Sequence, residues 1–178
     1  MNLVILDRDG VINFDSDNYI KTVDEWQPIP GSIEAIAELS KAGFEICVAT
    51  NQSGLARGYF TPKTLTAMHT KMTSLVTEAG GNISLIEHCP HGPDDGCNCR
   101  KPLPGMIESI LSKYPEINPE SVYVVGDSLR DLQAGIAAGC KALLVKTGKG
   151  ERTLEKGGLP EGTVVCEDLS AAVNTITG

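Results

Sequence analysis

Two carboxylates stand two positions apart near the start of the chain, in the segment Asp7-Arg8-Asp9-Gly10. They directly follow the apolar run 3–6, which has the composition of a buried strand. Ligands of an open parallel sheet bind beyond the carboxyl ends of its strands, so both side chains lie where a site is expected. Their spacing also points them to the same side of an extended segment. Alone, the segment is equally compatible with a solvated turn.

A second polar segment, residues 50–54, follows the apolar run 45–49. The hydroxyl of Thr50 and the backbone N–H groups around a glycine turn can hold phosphate oxygens, as nests and helix N-termini do. Taken alone, these residues are also typical of an N-cap or a turn. The phosphate-binding interpretation involves three further residues, namely Asn51, Gln52 and Ser53.

Two more polar segments complete the set. Lys101, in Arg100-Lys101-Pro102, could place a compact positive charge against a phosphoryl group, although a basic pair is usually a solvated surface. Asp127 follows the apolar run 122–125 and supplies the hard oxygen that magnesium prefers. It could equally be an Asp favoured by a helix dipole. Because all four segments follow predicted strands or the next loop, chance placement is a poor explanation.

Apolar runs alternate with segments of helical period along the chain. Strands are predicted at 3–6, 45–49, 83–86, 122–125 and 142–145, and helices at 32–42, 62–79, 106–114, 130–138 and 170–176. Continuous apolar strands indicate a mostly parallel sheet covered on both faces. We therefore expect an α/β, three-layer, Rossmann-like fold, with edge loops at 13–30 and 90–104 and a frayed helix within 151–162. The spacing between the first two polar segments leaves no room for a separate cap domain.

Length and composition limit the possible classes. A chain of 178 residues with 41% hydrophobic content fits one domain, residues 1–178. A net charge of −8 argues against nucleic acid as the main partner. The apolar run 3–6 is too short for a signal segment or membrane span, so we expect a cytoplasmic protein with no membrane partner. Short loops favour a monomer.

Three of the six cysteines crowd into a short loop with a histidine. Cys89, His91, Cys97 and Cys99 offer three thiolates and one imidazole, a set that suits closed tetrahedral Zn²⁺ coordination. Four unconnected loop residues are the less favoured alternative, since free cysteines prefer apolar burial. The sequence thus predicts a structural zinc loop at about 88–101, ending at the basic segment. The other cysteines are expected in apolar surroundings.

The four polar segments, in this order, resemble the four motifs of the haloacid dehalogenase phosphatases, over roughly residues 3–145. The resemblance implies an Asp7 nucleophile that forms an aspartyl-phosphate, with Asp9 as general acid and then base. It implies that Thr50 and Lys101 stabilise the phosphoryl group. Mg²⁺ would be held by Asp7, the backbone carbonyl of Asp9, and Asp127. Asp131 either steadies the metal shell or is a surface helix residue.

Within that superfamily, the segments DRDGVIN, TNQSGLARGYF, CPH, CNCRKP and GDSLRD resemble the heptose bisphosphate phosphatases. This implies hydrolysis of the 7-phosphate of a heptose 1,7-bisphosphate, in heptose nucleotide synthesis for cell-surface glycans. Arg57 and Arg100 could bind the second phosphate. The resemblance also places Asp15, Asn18 and Tyr19 at the substrate. The related histidinol-phosphate phosphatases share the zinc loop and stay an alternative, because Asp15 and Asp17 could bind an ammonium group.

Two other functional classes fit the sequence less well. A phosphosugar-binding protein without turnover would not need both a nucleophile and a proton donor. A nucleic-acid end-processing phosphatase is disfavoured by the acidic charge and by the lack of a basic or aromatic strip.

Overall fold

The computed structural model describes residues 1–178. Its elements alternate strand and helix. The strands are β1 (Asn2–Leu6), β2 (Phe44–Asn51), β3 (Leu85–Cys89), β4 (Tyr123–Gly126), β5 (Lys141–Val145) and β6 (Val164–Cys166). The helices are α1 (Ser32–Lys41), α2 (Pro62–Glu78), α3 (Gly105–Ser112), α4 (Leu129–Ala137), α5 (Gly150–Lys156) and α6 (Leu169–Thr177), with a 3₁₀ turn at Pro119–Ser121.

The six strands form one sheet in the order β3-β2-β1-β4-β5-β6, and every neighbouring pair is parallel. The chain runs outward from β1 to β3, then returns to place β4 on the other side of β1. A reversal of strand order of this kind opens a crevice at the carboxyl ends of the central strands. The crevice therefore lies beyond the carboxyl end of β1, which stands between β2 and β4 in the sheet.

Alternate residues of the central strands enter two separate cores, because successive strand side chains point to opposite faces. Val4 and Leu6 of β1 pack with buried residues of α1, α2 and α6, whereas Leu3 and Ile5 pack with those of α3 and α4. Helices therefore cover both faces, and the predicted three-layer α/β fold is confirmed.

Most predicted elements are present with boundaries shifted by one to three residues. The strand β6 was not predicted, since three residues are too few to show a period, and α5 is a regular helix where a frayed one was expected. β3 begins at Leu85, two residues later than predicted. Thr61 caps α2 as expected, its side chain accepting a hydrogen bond from the Thr64 backbone N–H.

The segment between the first two strands contains a loop and α1, and no separate cap domain, as predicted. Two isolated β-bridges, Asp9 to Asn13 and Asn13 to Pro28, fold this loop back on itself beside β1. None of the helices has the length and apolar character needed to cross a bilayer.

The contact of α4 with β4 gives a test of the packing. A Cβ atom at Gly135 would lie 2.9 Å from the Cβ of Val124. Overpacking costs about 1–3 kcal/mol, and replacing Gly by Ala in a helix returns about 1 kcal/mol. We expect Gly135→Ala to lower the free energy of unfolding by up to about 2 kcal/mol in urea titrations. The exposed Gln133→Ala on the same helix should change it by less than about 0.5 kcal/mol, and equal effects would contradict this packing.

Candidate active site

A polar cavity of about 190 Å³ lies at the carboxyl ends of the central strands. Asp7 follows β1, Thr50 is the penultimate residue of β2, and Asp127 follows β4, so three adjacent strands deliver these side chains to one place. The residues lining the cavity are Asp7, Asp9, Asp15, Ser16, Asp17, Tyr19, Ile20, Thr50, Asn51, Gln52, Ser53, Arg100, Asp127, Ser128, Arg130, Asp131 and Lys149.

Lys101 is a buried cation between two carboxylates. Its Nζ donates to Asp131 Oδ1 at 2.8 Å and to Asp7 Oδ1 at 3.2 Å, and its side chain is only 2% exposed. Burial alone lowers the pKa of Lys101, but Asp131 and Asp7 outweigh it and raise that pKa. The backbone N–H of Lys101 donates to Asn51 Oδ1 at 3.1 Å, and Asn51 Nδ2 donates to the Lys101 carbonyl at 3.3 Å. This reciprocal pair fastens the lysine to the end of β2.

Asp7, Asp127 and Asp131 can each place one carboxylate oxygen within 4.8 Å of the others. Burial, and then repulsion from Asp131, raises the pKa of Asp7 to about 7. Burial and repulsion from Asp7 raise the pKa of Asp127 to about 8. One lysine does not neutralise three carboxylates at this distance. The cluster therefore suits a divalent cation that prefers hard oxygen ligands, such as Mg²⁺.

Two glycines allow Asp127 to approach β1. A Cβ at Gly10, whose φ is +87°, would lie 2.0 Å from Asp127 Oδ2, and one at Gly148 would lie 2.3 Å from the same atom. The backbone N–H of Lys149 donates to this oxygen at 2.9 Å. The carboxylate is therefore held where any larger residue at position 10 would collide with it.

Asp9 lies beside the cluster with both oxygens hydrogen-bonded. Its Oδ1 accepts from Arg8 Nε at 2.9 Å and from Asn13 Nδ2 at 2.8 Å, and its Oδ2 accepts from Gln52 Nε2 at 3.2 Å. Burial raises the pKa of Asp9, but the Arg8 charge and these hydrogen bonds lower it overall. Gln52 also donates to Thr50 Oγ1 at 2.9 Å, so it links the two polar segments directly.

The predicted substrate residues divide into two groups. Asp15, Tyr19, Asn51, Gln52, Ser53 and Arg100 line the cavity, whereas Asn18 and Arg57 do not. The Arg57 guanidinium instead lies 5.6 Å from the centre of the Tyr19 ring, and the ring of Tyr59 packs edge-on against Tyr19 at 5.1 Å. Tyr19 has a positive φ of 66°, a strained conformation for a residue with a side chain. Arg57 thus contacts the ring of Tyr19 and does not itself line the cavity.

Two basic residues of the cavity, Arg130 and Lys149, are not among those predicted from the sequence. Lys149 Nζ lies 3.4 Å from Asp15 Oδ2, which ties the segment before α5 to the loop after β1. No sequence signal identifies Lys149, because it lies in a polar segment far from the four motifs. Arg130 lies within the fourth motif, and its position between Asp127 and Asp131 could have indicated it.

Asp131 is buried, so the expectation that it could be a surface helix residue is wrong. Its side chain accepts from Lys101 Nζ and from the backbone N–H of Ser128 at 3.1 Å, which closes a capping box at the start of α4. It therefore orients the lysine and the helix together.

Three of the four predicted zinc ligands come together. The sulfur atoms of Cys89, Cys97 and Cys99 lie within 4.8 Å of one another, and those of Cys89 and Cys97 are 3.7 Å apart. The His91 ring is not part of this group, although the His91 carbonyl accepts from Arg100 Nη1 at 3.2 Å. Three soft sulfur donors at this spacing fit Zn²⁺. The zinc site itself stays a prediction.

Comparisons with known proteins agree with this geometry. The HAD-hydrolase-like family profile matches residues 98–172. The D-glycero-beta-D-manno-heptose-1,7-bisphosphate 7-phosphatase of Pseudomonas putida is 61% identical over 171 residues, covering 96% of this chain and 97% of the relative. The protein of the same name from Bordetella bronchiseptica is 56% identical over 176 residues, covering 99% of this chain and 98% of the relative.

A solved structure gives the same result. The crystal structure of D,D-heptose 1,7-bisphosphate phosphatase from B. bronchiseptica, complexed with magnesium and phosphate, superimposes with a TM-score of 0.96 at 56% identity. The match covers 99% of this chain and 98% of that one. Identity of this extent over nearly the whole length establishes the relationship. The chain belongs to the D-glycero-beta-D-manno-heptose-1,7-bisphosphate 7-phosphatase family of HAD-like hydrolases.

Proposed function

We propose that the chain is a magnesium-dependent phosphomonoesterase that removes the 7-phosphate of D-glycero-beta-D-manno-heptose 1,7-bisphosphate and leaves heptose 1-phosphate. The observation that carries this proposal is the buried Lys101, which is held between Asp7 and Asp131. These two carboxylates line one cavity together with Asp9 and Thr50. The names of relatives at 55–61% identity support the choice of substrate. The reaction belongs to heptose nucleotide synthesis for cell-surface glycans.

In the first half-reaction, a carboxylate oxygen of Asp7 attacks phosphorus while the bond to the heptose oxygen breaks. Asp9 gives its proton to that leaving oxygen, and an aspartyl-phosphate remains on Asp7. In the second half-reaction, Asp9 takes a proton from water as the water oxygen attacks phosphorus, and Asp7 is released with inorganic phosphate. The negative charge of a bound phosphate raises the pKa of Asp9 from its low value in the free chain, which prepares it to act as an acid.

Thr50 and Lys101 stabilise the phosphoryl oxygens. The Thr50 hydroxyl accepts from Gln52, and its own hydrogen has only a 3.5 Å contact with the Asn51 carbonyl. That hydrogen is available to a phosphate oxygen. Lys101 supplies positive charge beside the attacking carboxylate, where it offsets the repulsion between two anions.

The Mg²⁺ ligands are the carboxylates of Asp7 and Asp127 and the backbone carbonyl of Asp9. Bound Mg²⁺ neutralises charge between nucleophile and phosphate. The raised pKa values of the two carboxyls support a cation requirement at this place. The family member solved with magnesium and phosphate supports the choice of metal.

The zinc ligands proposed are Cys89, Cys97 and Cys99, completed by His91. Four protein ligands leave no open position, so the role of this site is to order the loop that leads to Lys101. We keep three further expectations as proposals, namely a single domain over residues 1–178, a monomer, and a cytoplasmic location without nucleic-acid or membrane partners.

A substrate panel tests the function. Phosphate release should be fastest with the heptose 1,7-bisphosphate, and lower by at least about 10-fold with histidinol phosphate and a 3′-phosphorylated oligonucleotide. Asp7→Asn should lose essentially all activity because its side chain is not a nucleophile, while still binding substrate. Equal rates across the panel would contradict the specificity, and full activity of Asp7→Asn would contradict the chemistry.

Metal-dependent stability should vary with pH. Asp7 and Asp127 have pKa values of about 7 and about 8 when folded, against 3.8 as ordinary values. Without Mg²⁺, the folded state favours the protonated forms of these two carboxyls. The stability that they contribute is therefore fully present below pH 3.8 and is lost as the pH rises through 7 to 8. Mg²⁺ binds the ionised forms, so added Mg²⁺ should raise Tm more at about pH 8.5 than at about pH 5.5.

Tm is measured at both pH values by scanning calorimetry, on zinc-loaded protein from which magnesium has been removed by gel filtration. Asp127→Asn is the control. It replaces an ionisable ligand with a neutral amide, which should remove most of the Mg²⁺-dependent rise in Tm at the higher pH. An equal shift at both pH values in the parent chain would count against a site built from these carboxylates.

Zinc content tests the thiol cluster. Elemental analysis should find about one zinc per chain. Cys97→Ser should lower both the zinc content and Tm, because the loop loses a ligand, and His91→Ala tests the fourth ligand. Cys166→Ser is the matched control, since its sulfur contacts Thr175 Oγ1 at 3.8 Å and belongs to no thiol cluster. Zinc-free protein with an ordered loop and full activity would exclude the zinc proposal.

A further inference from the structure

Arg8 lies between the two catalytic carboxylates in sequence, and its side chain is fully buried. Its Nε and Nη2 lie 2.9 and 2.8 Å from Asp9 Oδ1. On the other side, its Nη1 lies 3.3 Å from His69 Nε2 and 3.7 Å from Met68 Sδ, both on α2. Burying a guanidinium is costly unless it is paired and hydrogen-bonded, so these contacts define where the group can lie.

The contacts make the two oxygens of Asp9 unequal. Oδ1 faces two nitrogen atoms of Arg8 and Nδ2 of Asn13, all within 3 Å. Oδ2 has a single partner, Gln52 Nε2, at 3.2 Å. An ionised carboxylate oxygen offers about two lone-pair sites. The hydrogen bonds from Arg8 Nε and Asn13 Nδ2 fill both, so Oδ1 has no capacity left for a proton. Oδ2, on the side of Gln52 and Thr50, is the oxygen that can carry one.

His69 holds the opposite end of the guanidinium. Since Arg8 can only donate, His69 Nε2 must be the unprotonated acceptor nitrogen of a neutral ring. Burial and the Arg8 charge lower the pKa of His69 to about 3, which keeps the ring neutral. Met68, fully buried beside it, packs against the same nitrogen of Arg8. The guanidinium is thus fixed from both sides.

We propose that Arg8 and His69 are positioning residues for proton transfer in this reaction. Arg8 occupies Oδ1 of Asp9 and aims Oδ2 at the heptose oxygen, and His69 keeps Arg8 in that orientation. The inference rests on the proposed phosphatase function. In the first step the Asp9 Oδ2–H bond breaks and the proton goes to the leaving oxygen as its bond to phosphorus breaks. In the second step Oδ2 takes the proton of the attacking water.

A positioning role makes a chemical prediction that general destabilisation does not. A sugar alkoxide is a poor leaving group and needs a proton as it departs, whereas p-nitrophenolate departs readily without one. Misplacing Asp9 Oδ2 should therefore slow phosphoryl transfer from the heptose phosphate far more than transfer from p-nitrophenyl phosphate. The parameter to compare is kcat/KM, which covers steps only up to departure of the leaving group.

The variants are Arg8→Met, Arg8→Lys, His69→Phe and His69→Gln, with Asp9→Asn as the reference for complete loss of the acid. For Arg8→Met we expect kcat/KM to fall about 10²–10³-fold with the heptose bisphosphate and less than about 10-fold with p-nitrophenyl phosphate. Arg8→Lys should lie between, because it keeps the charge but loses the planar guanidinium that contacts Asp9 and His69 at the same time. His69→Gln keeps an acceptor and should be closer to the parent chain than His69→Phe.

A second readout follows from the base role of Asp9. With Asp9 misplaced, hydrolysis of the aspartyl-phosphate becomes slower than its formation from p-nitrophenyl phosphate. Arg8→Met should therefore release a burst of p-nitrophenolate of about one equivalent per chain before a slow steady rate. Loss of folded protein would lower the burst and the steady rate together.

Lys71→Met is the control for disturbance of α2. Lys71 Nζ donates to the carbonyls of Val23 and Trp26 at 2.9 and 2.6 Å and contacts neither Arg8 nor Asp9. Whatever this substitution does to stability, the ratio of kcat/KM between the two substrates should not change.

Equal losses on both substrates in folded Arg8→Met would overturn the inference, as would parent-like activity. If Arg8→Met does not fold, Arg8→Lys and His69→Phe give the same comparison, and unchanged substrate ratios in both would overturn it equally. A parent chain that hydrolyses neither ester would overturn the proposed function as well. A parent chain that hydrolyses both, with uniform losses in the variants, would leave that function intact.

Discussion

Repulsion among buried carboxylates is the constraint on which this site depends. Asp7, Asp127 and Asp131 converge within 4.8 Å, and the one cation buried among them is Lys101. Such a cluster is unfavourable unless charge is supplied from outside or protons are retained. The same excess of negative charge that opposes the approach of a phosphate makes the site select a divalent cation. Stability, metal binding and chemistry are therefore coupled through the repulsion among these carboxylates.

The fold brings these charges together with few local requirements. Because the strand order reverses beside β1, the ends of β1, β2 and β4 are neighbours, and one polar residue after each strand is enough to assemble most of the site. Lys101 differs, since it belongs to the loop between β3 and α3 and has no regular element of its own. Its position depends on the two hydrogen bonds with Asn51 and on the thiol cluster that precedes it. The loop is thus anchored at the lysine itself and just before it.

The difference between residues that sequence reasoning found and those that it missed has a physical origin. Asp7, Thr50 and Asp127 were predictable because a strand end can be recognised from an apolar run, and parallel strands deliver their ends to one edge. Lys149 was not, because its place in the cavity results from the packing of a polar segment that carries no periodic signal. Arg57 has the charge for a phosphate, but the ring of Tyr19 is its neighbour in the structure. Residue type indicates what a side chain can bind, and only packing decides which partner it meets.

The absence of a cap domain transfers substrate selection to loops around the cavity. The carboxylates lie at the strand ends, while Arg100, Arg130 and Lys149 add positive charge to the lining from three different segments. On the proposed function, one phosphate would lie beside Asp7 and Lys101, and a second anionic group on the same molecule would meet these other cations. Lys149 is already paired with Asp15 at 3.4 Å, so an incoming anion has to compete with a residue of the loop after β1. On the proposed function, a second phosphate at Lys149 would displace Asp15, and this competition would give a domain without a cap a means of distinguishing a bisphosphate from a monophosphate.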